Sequence, residues 1–418
     1  MEWARFRKYA RRIQELKDPV LDFLSPETFS VMQHCAINEP LLPNLKALQL
    51  TGIEEWFIPL IPMFLSPGTT SIFLSFKSES NPPVVASMIT TIPALCPDLQ
   101  AVGLYSRSRD PKITAAISGI LLVANQNTLR ELHVDSPLTE EASDVVYKLP
   151  NLHSLSVVIE RETPLPSASL PNLINLTIRC DNEDNWPQLF HGATFGKLES
   201  VTFYPRSEEI GDFLGAFKGA ALSSSIQNTL SMLHLSTPCS WNPKYCSLLP
   251  FTQMVDLEIE FSCDGGCSSG ADDDIIITLS RAMPKLESLG LGNTTCRRIT
   301  SGVTTKGLLA LAHHCPGLLT LSIHLQVASL CEPPEIPGMV PTAGSTASWT
   351  DCALTDLVVG AARVPEGSTM IITLTLLRIF PRLDSIMFID RGWQEVENAI
   401  NRSREIINCS SEQPPFTP

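Results

Sequence analysis

The chain has 418 residues, of which 44% are hydrophobic and 18% charged, and it contains 22 glycines and 33 prolines. This composition is too hydrophobic for general disorder and lacks the glycine content of a collagen-like protein. The formal net charge of −14 argues against a nucleic-acid-binding protein, which needs a basic surface to contact phosphates. No run approaches the roughly 18 consecutive apolar residues of a membrane span, so we expect no membrane insertion.

The first 17 residues have the pattern of a basic amphipathic helix. Apolar residues recur at intervals of three and four along one predicted helix face: Trp3, Phe6, Ala10, Ile13 and Leu16. We interpret residues 1–40 as a helical cap that covers the open end of the repeats described next. The alternative is a helix that engages a partner or a membrane surface. The segment lacks the apolar stretch of a signal peptide, so we expect a cytoplasmic or nuclear protein.

Residues 41–403 contain a repeated block, in which an aliphatic residue is followed by two variable ones, an aliphatic, one variable and an aliphatic. Twelve copies can be aligned, among them LPNLKALQL (Leu42–Leu50) and LPNLHSLSV (Leu149–Val157). A thirteenth, degenerate copy runs through Thr69, Ile72 and Leu74. Proline lies two places before the first aliphatic in seven of the twelve copies. The average period of about 28 residues and this pattern are typical of leucine-rich repeats.

Each repeat combines a predicted strand and, in several repeats, a predicted helix. The last two aliphatics of the block alternate with polar residues, so both point to the same side of a short strand. The segments between blocks that have helical character are Glu140–Leu149, Glu208–Leu222, Asp272–Met283, Thr304–Cys315 and Ser368–Phe380. We therefore predict an α/β leucine-rich-repeat solenoid of about 12–13 irregular repeats, with a curved parallel sheet on the concave side and helices on the convex side.

Breaks in the regular spacing indicate loops and a tail. Ser262–Ala271 is rich in glycine and serine, and Cys331–Thr350 is rich in proline, glycine and serine, so both are predicted to be protruding loops. Residues 404–418 are predicted to form a C-terminal tail that frays from about Cys409. The solenoid itself is assigned to residues 41–403.

The twelve cysteines are scattered along the chain and predict reduced thiols instead of disulfides. Many of them are expected to be small buried apolar groups. Cys263 and Cys267 form a Cys-x3-Cys pair, and Cys239 and Cys246 lie nearby in sequence, but their spacing differs from that of zinc fingers. We expect no bound metal.

Catalytic and cofactor-binding motifs are missing from the sequence. There is no Gly-x-Ser-x-Gly elbow, no phosphate-binding loop and no His-Glu-x-x-His. Gly290-Leu291-Gly292 lies in a repeat strand and lacks a third glycine, and His313-His314-Cys315 fits the packed end of a helix. We therefore predict that the protein is not an enzyme and uses no cofactor.

The concave sheet is the usual working surface of such a solenoid, and it displays the variable residues between the aliphatics. We predict that a target protein binds there and that the chain is a monomer. The candidate binding residues are Tyr105, Glu131, His133, Asp135, Arg179, Tyr204, His234, Asp256, Glu258, Glu260, His324 and Asp356. The three acids of residues 256–260 favour a basic partner segment, and tyrosines are frequent at interfaces. The alternative is an ordinary solvated strand surface.

Several segments resemble the fungal, basidiomycete-type F-box/leucine-rich-repeat proteins. They are WARFRKYARRIQEL (Trp3–Leu16), an early LSPE (Leu24–Glu27) and LLPNLKALQL (Leu41–Leu50). GLLALAHHCPGLLTLSI (Gly307–Ile323) is similar to the cysteine-containing repeat common in that family. The resemblance covers essentially the whole chain.

This resemblance implies a role in protein ubiquitination. In the family, an N-terminal F-box docks on the linker subunit of a cullin–RING ubiquitin ligase, and the repeats recruit the protein to be ubiquitinated. The first repeat here begins by Leu42, which leaves too few residues for an F-box, so the F-box is expected to be missing from this chain. The resemblance therefore implies a substrate-recognition solenoid that meets the ligase linker if an F-box lies upstream. The alternative is an F-box-less scaffold or inhibitor that binds a partner protein with no ligase role.

Overall fold

A computed structural model describes residues 2–17, 28, 31, 40–106, 110–123, 127–159, 169–180, 194–205, 217–219, 225–238, 245–262, 271–292, 302–332, 350–360 and 362–411. In the described ranges, fourteen strands form one hydrogen-bonded sheet, whose edge strands are the first and the last of these strands along the chain. Each ladder whose register is described is parallel. Helices lie between many of the strands, so the fold is α/β with an open parallel sheet, as predicted.

The chain divides into two compact units, and the first comprises Met1–Val201 with Ser224–Ile226. Its sheet strands are β1 (Glu15–Lys17), β2 (Ala47–Ile53), β3 (Ser71–Phe76), β4 (Ala101–Ser106), β5 (Glu131–Pro137), β6 (Ser154–Ile159) and β8 (Asn175–Cys180). The short strands β7 (Ser169–Leu170) and β9 (Thr194–Phe195) pair with each other. The α-helices are α1 (Glu2–Ala10), α2 (Pro82–Leu95), α3 (Pro111–Val123) and α4 (Glu140–Val146), and Glu55–Met63 forms a 3-10 helix.

The second unit comprises Thr202–Ser223 and Gln227–Pro418, and the boundary falls within β10 (Ser200–Pro205). Its further strands are β11 (Met232–Pro238), β12 (Asp256–Ser262), β13 (Ser288–Leu291), β14 (Thr320–Ile323), β15 (Asp356–Gly360) and β16 (Ser385–Phe388). Its α-helices are α5 (Asp273–Ala282), α6 (Thr305–His314), α7 (Thr369–Ile379) and α8 (Gly392–Ser411). Short 3-10 helices occur at Ser225–Asn228, Tyr245–Leu248 and Val327–Cys331.

The predicted aliphatic positions form buried rows across the strands. In the first unit the register aligns one row of buried residues: Leu48, Ile72, Val102, Leu132, Leu155 and Leu176. In the second unit the corresponding row is Leu233, Leu257, Leu289, Leu321 and Leu357. Ile72 and Leu74 of the degenerate copy are also buried, so that copy does form a strand. Because side chains alternate along a strand, the residues between these rows lie on the opposite, more exposed face.

Prolines and acidic residues mark the helix ends as the sequence predicts. Pro97, Pro284 and Pro316 each follow a helix that ends at the residue two places earlier. Proline lacks the N–H that continues a helix, so the chain leaves the helix there and enters the next strand. At the start of α5, Asp272 is the N-cap, and its Oδ1 accepts a hydrogen bond of 2.9 Å from the backbone N–H of Ile275.

Several cysteines are buried thiols that donate hydrogen bonds to backbone carbonyls. The Sγ of Cys315 lies 3.4 Å from the carbonyl oxygen of Met283, and the Sγ of Cys352 lies 3.7 Å from that of Cys315. Burial raises the pKa of the Cys315 thiol to about 12 and that of Cys96 to about 11. Cys180 is buried as well, whereas Cys246 is exposed. The prediction that many of the cysteines are small buried groups is confirmed for these buried positions.

The N-terminal segment departs from the predicted single amphipathic helix. Helix α1 ends at Ala10, and Leu16 lies instead in β1, where its Cα is paired with that of Leu48. The prediction from the helical spacing of Ile13 and Leu16 is therefore wrong, because the backbone of β1 finds its partners on the neighbouring strand β2. The backbone N–H of Lys46 bonds the carbonyl of Gln14 at 2.7 Å and fixes this connection.

The other predicted elements are placed as follows. The helices predicted from Glu140, Asp272, Thr304 and Ser368 are all present, each within a few residues of its predicted bounds. Of the predicted helix 208–222, only residues 217–219 are described, and the predicted loops 262–271 and 331–350 fall largely outside the described residues. Helix α8 continues to Ser411 and so includes the first residues of the segment assigned to a tail.

Candidate binding surface on the sheet

The strand side chains that alternate with the buried rows form a surface that we call the polar face. All twelve predicted binding residues lie on these strands or directly after one, and each of them is at least partly exposed. In the first unit they are Tyr105 on β4, Glu131, His133 and Asp135 on β5, and Arg179 on β8. In the second unit they are Tyr204 on β10, His234 on β11, Asp256, Glu258 and Glu260 on β12, His324 after β14, and Asp356 on β15.

In the first unit the structure brings Tyr105, Asp135 and Arg179 into one electrostatic group. Partial burial raises the pKa of the Tyr105 hydroxyl, while the charge of Arg179 lowers that pKa and the charge of Asp135 raises it. The Oδ1 of Asp135 accepts a hydrogen bond of 2.6 Å from the backbone N–H of Ser106, which fixes the carboxylate beside β4. These three residues come from three different strands and place a phenol, an acid and a base on one surface.

Phe73, on β3, belongs to the polar face but was not among the predicted residues. Its ring centroid lies 5.7 Å from that of His133, although β4 separates their two strands. The ring reaches across because residue 103 is glycine: a Cβ atom there would lie only 2.2 Å from Cδ1 of Phe73. A glycine inside a strand is a recognised sign of such a close approach, and it is the one sequence signal for this contact.

His133 is held as part of this aromatic pair. Burial lowers the pKa of its imidazole, and the nearby charge of Glu131 raises that pKa more weakly. Its Nε2 lies 3.5 Å from the hydroxyl oxygen of Ser154, at the limit of a hydrogen bond.

In the second unit His234 and two glutamates of β12 form a charged cluster. The Nδ1 of His234 lies 3.0 Å from a carboxylate oxygen of Glu258, and its Nε2 lies 3.9 Å from one of Glu260. The hydrogen bond to Glu258 raises the pKa of His234, and the same bond lowers the pKa of Glu258. The ring of Tyr204 lies 5.8 Å from the imidazole of His234, so an aromatic side chain borders the cluster.

Two of the predicted residues lie apart from this cluster. Asp356 lies three strands away from Asp256, because the register pairs Asp256 with Ser288, Ser288 with Thr320 and Thr320 with Asp356. At the usual spacing of strands this separation is roughly 14 Å. The carboxylate of Asp356 accepts a hydrogen bond of 2.7 Å from the hydroxyl of its neighbour Thr355. His324 follows β14, and its backbone carbonyl accepts a hydrogen bond of 2.9 Å from the N–H of Val303. The polar face therefore presents separate groups instead of one continuous site.

The described part of the chain offers no set of metal ligands. No group of three or more histidine, cysteine, aspartate or glutamate side chains is placed there to hold an ion. Of the four cysteines considered from the sequence, Cys239, Cys263 and Cys267 lie outside the described residues, and Cys246 is exposed. His313 and His314 contact each other edge to face at 5.1 Å, and the Nε of Arg281 lies 3.5 Å from the Nε2 of His314.

Comparisons with known proteins add no assignment. No protein-family model matches the chain, and no curated protein matches it. Among the helices of the described ranges, none combines the length and the hydrophobicity required to cross a membrane. The function therefore has to be inferred from the geometry of the polar face.

Proposed function

We propose that the chain is a leucine-rich-repeat solenoid whose polar face is the concave side. The sequence block recurs with about the period of that architecture, and consecutive blocks supply consecutive strands of a parallel sheet. Each strand buries the aliphatics of its own block beside those of the next, as stacked repeats do. The cysteine thiols that bond the carbonyls of a preceding block support the same stacking.

The solenoid is a non-catalytic protein-binding module that holds a target protein on the polar face. The observation that carries this proposal is the composition of that face, where aromatic rings and charged groups are fixed side by side on rigid strands. Aromatic anchors bordered by charges are typical of protein interfaces. A sheet also holds its side chains in place before binding, which lowers the entropy cost of association.

The resemblance to fungal F-box/leucine-rich-repeat proteins suggests the wider role. In this proposal the chain acts as the substrate-recognition part of a ubiquitin-ligase adaptor in the cytoplasm or nucleus. The second candidate is an F-box-less scaffold or inhibitor, which binds the same partner without delivering it to a ligase. Co-purification of the native full-length protein with the linker subunit of a cullin–RING ligase separates the two, because only the adaptor retains the linker.

The binding role is tested by comparing variants of the polar face in a quantitative pull-down. Tagged full-length protein is incubated with native lysate, and bound proteins are compared by mass spectrometry among the unmodified chain, Arg179→Glu and Glu258→Lys. A partner of the polar face is depleted at least about tenfold by one of these reversals. Glu405→Lys, an exposed reversal on α8, is the matched control and leaves the same partner bound. If no protein is depleted selectively by either polar-face variant, the proposal is wrong.

A further inference from the structure

The side chain of Phe73 occupies the place that a side chain at position 103 would take. A Cβ atom built on Gly103 would lie 2.2 Å from Cδ1, 2.7 Å from Cε1 and 3.1 Å from Cγ of Phe73. The ring therefore lies over the backbone of β4, with His133 beyond it on β5. Phe73 remains partly exposed, so its ring packs against β4 and is still accessible to solvent. An aromatic ring held in this way is a preformed platform for a side chain of a bound molecule.

The charged side chains that strands β2 to β6 themselves contribute around this platform are acidic. Strands β2 to β6 are described throughout, and the charged side chains that they place on the polar face are Glu131 and Asp135. Glu131 is exposed and makes no ion pair with a described residue, whereas the carboxylate of Asp135 is bonded to the N–H of Ser106. Burial lowers the pKa of His133 and so favours its neutral form. The base on this face, Arg179, lies outside these strands, on β8, and acts on Tyr105.

We propose that Phe73, lying over Gly103 beside His133, is the docking site for an arginine side chain of the bound protein, with Glu131 as its counter-charge. This inference rests on the proposed protein-binding function and names the chemistry that one part of the polar face recognises. We call Phe73, Gly103, His133 and Glu131 the arginine platform.

Arginine fits the arginine platform better than the other side chains. The guanidinium is planar, stacks on aromatic rings and is more weakly hydrated than the lysine ammonium, so it loses less on leaving water. A cation over an aromatic face is attracted by the ring quadrupole, and the carboxylate of Glu131, whose charge acts on His133, supplies a nearby counter-charge. An apolar side chain would gain from the ring alone and would leave the negative potential of Glu131 and Asp135 unused.

The test uses the full chain, labelled with fluorophenylalanine, and short peptides that differ in one side chain. The fluorine resonance of residue 73 is identified by its loss in Phe73→Leu and is followed during titration with Ac-Gly-Arg-Gly-amide at millimolar concentrations. We expect this resonance to shift with the arginine peptide, to shift less with the lysine peptide and to stay unchanged with the citrulline peptide, which is neutral and of the same shape. The norleucine peptide reports purely apolar binding.

Matched variants separate the parts of the platform. Glu131→Gln weakens arginine-peptide binding about threefold, the usual scale for an exposed ion pair, whereas Glu141→Gln, an exposed glutamate on α4, leaves it unchanged. Gly103→Ala displaces the ring and abolishes the shift, and its thermal unfolding shows whether the protein is still folded. If Gly103→Ala does not fold, Glu131→Gln alone decides.

Several results would overturn this inference. They are the absence of any shift at residue 73, an equal response to citrulline or norleucine, and an unchanged affinity in Glu131→Gln. The titration needs no natural partner, so its outcome is independent of the pull-down. A partner that Arg179→Glu or Glu258→Lys depletes, together with a silent titration, would leave the binding function standing and remove the arginine platform.

Discussion

At the scale of single residues, the contact between His234 and Glu258 couples two protonation equilibria. The pKa of His234 is raised above its ordinary value of 6.5, so the folded protein holds that proton more tightly than the unfolded chain does. The contact therefore stabilises the fold below about pH 6.5 and loses this effect as the pH rises through the folded pKa. The pKa of Glu258 is lowered, so the same contact is also lost as the pH falls through that value.

The titration of His234 gives a direct check. We expect its imidazole proton resonance to report a pKa above 6.5 in the unmodified protein and a lower one in Glu258→Gln, because the 3.0 Å hydrogen bond is weakened. Glu260→Gln removes a charge at 3.9 Å that is not hydrogen-bonded, so it lowers the pKa of His234 less. Equal effects of the two substitutions would contradict the assigned contact. The His234 resonance is identified in His234→Gln.

Some side-chain contacts on the polar face can be predicted from the sequence, and others cannot. His234 and Glu258 lie at equivalent positions of adjacent sequence blocks, so their pairing follows from the repeat register. The contact of Phe73 with His133 skips a strand and depends on the missing side chain at Gly103. Phe73 also lies in the degenerate block, and the pattern of aliphatics gives no information on how far an exposed ring reaches. It was therefore missed among the candidate residues.

At the scale of elements, three adjacent aspartates at the start of α5 have three different surroundings. Asp272 caps the helix, and the side chain of Asp274 is 90% exposed and makes only a long, exposed ion pair of 3.9 Å with Lys306 of α6. Asp273 reaches the next helix: its Oδ1 accepts from the N–H groups of Thr304 and Gly307 at 2.9 and 3.1 Å, and its Oδ2 accepts from the Thr304 hydroxyl at 2.5 Å. The sequence predicts that acids suit this helix terminus, but only the packing of α5 beside α6 distinguishes Asp273 from its neighbours.

Asp273→Ala is expected to destabilise the second unit by about 2 kcal/mol, because three hydrogen bonds to a charged acceptor are lost and two backbone N–H groups at the N-terminal end of α6 lose their partner. Asp274→Ala removes the same charge from the same helix turn and is expected to change stability by less than about 0.5 kcal/mol. Urea unfolding curves of the two variants and the unmodified chain measure the difference. Similar losses in both variants would mean that the helix dipole, and not the bridge to α6, determines the effect.

The N-terminal elements show where sequence patterns mislead. Residues 3–16 have helical spacing throughout, but the segment splits into helix α1 and strand β1. Both arrangements place Leu16 against apolar neighbours, so the hydrophobic pattern does not discriminate between them. Without β1, the strand β2 would be the edge of the sheet and its outer backbone groups would need other partners, and the local sequence gives no sign of this requirement.

At the scale of the whole molecule, the repeat predicted which side chains are buried. The aliphatic positions of the blocks became the buried rows, and the prolines marked the ends of helices, because both features are local and recur in each block. The combination of charges on the polar face was not predictable in the same way. Its groups combine side chains from strands that are distant in sequence, as with Tyr105 on β4 and Arg179 on β8, which are separated by β5 and β6 in the sheet.

If the chain is a stack of repeats, a destabilising substitution in one repeat should reduce stability only in that repeat and its neighbours. Leu257 is fully buried in the inner row, with Leu233 and Leu289 as its register partners, so Leu257→Ala is expected to cost about 3 kcal/mol. In an architecture in which each repeat contacts only its neighbours, this loss stays local. Amide hydrogen exchange of the full chain should then show reduced protection in β11, β12 and β13 and unchanged protection in β3 and β4.

Leu132→Ala is the matched substitution in the first unit, because Leu132 is equally buried between Val102 and Leu155. It is expected to give the reverse pattern, with protection lost in β4, β5 and β6 and retained in β12 and β13. Two opposite and local footprints would support the leucine-rich-repeat proposal through the physics of its stacking. Loss of protection throughout the chain in both variants would instead indicate one cooperative core, in which each side chain depends on all the others, and the proposed architecture would have to be abandoned.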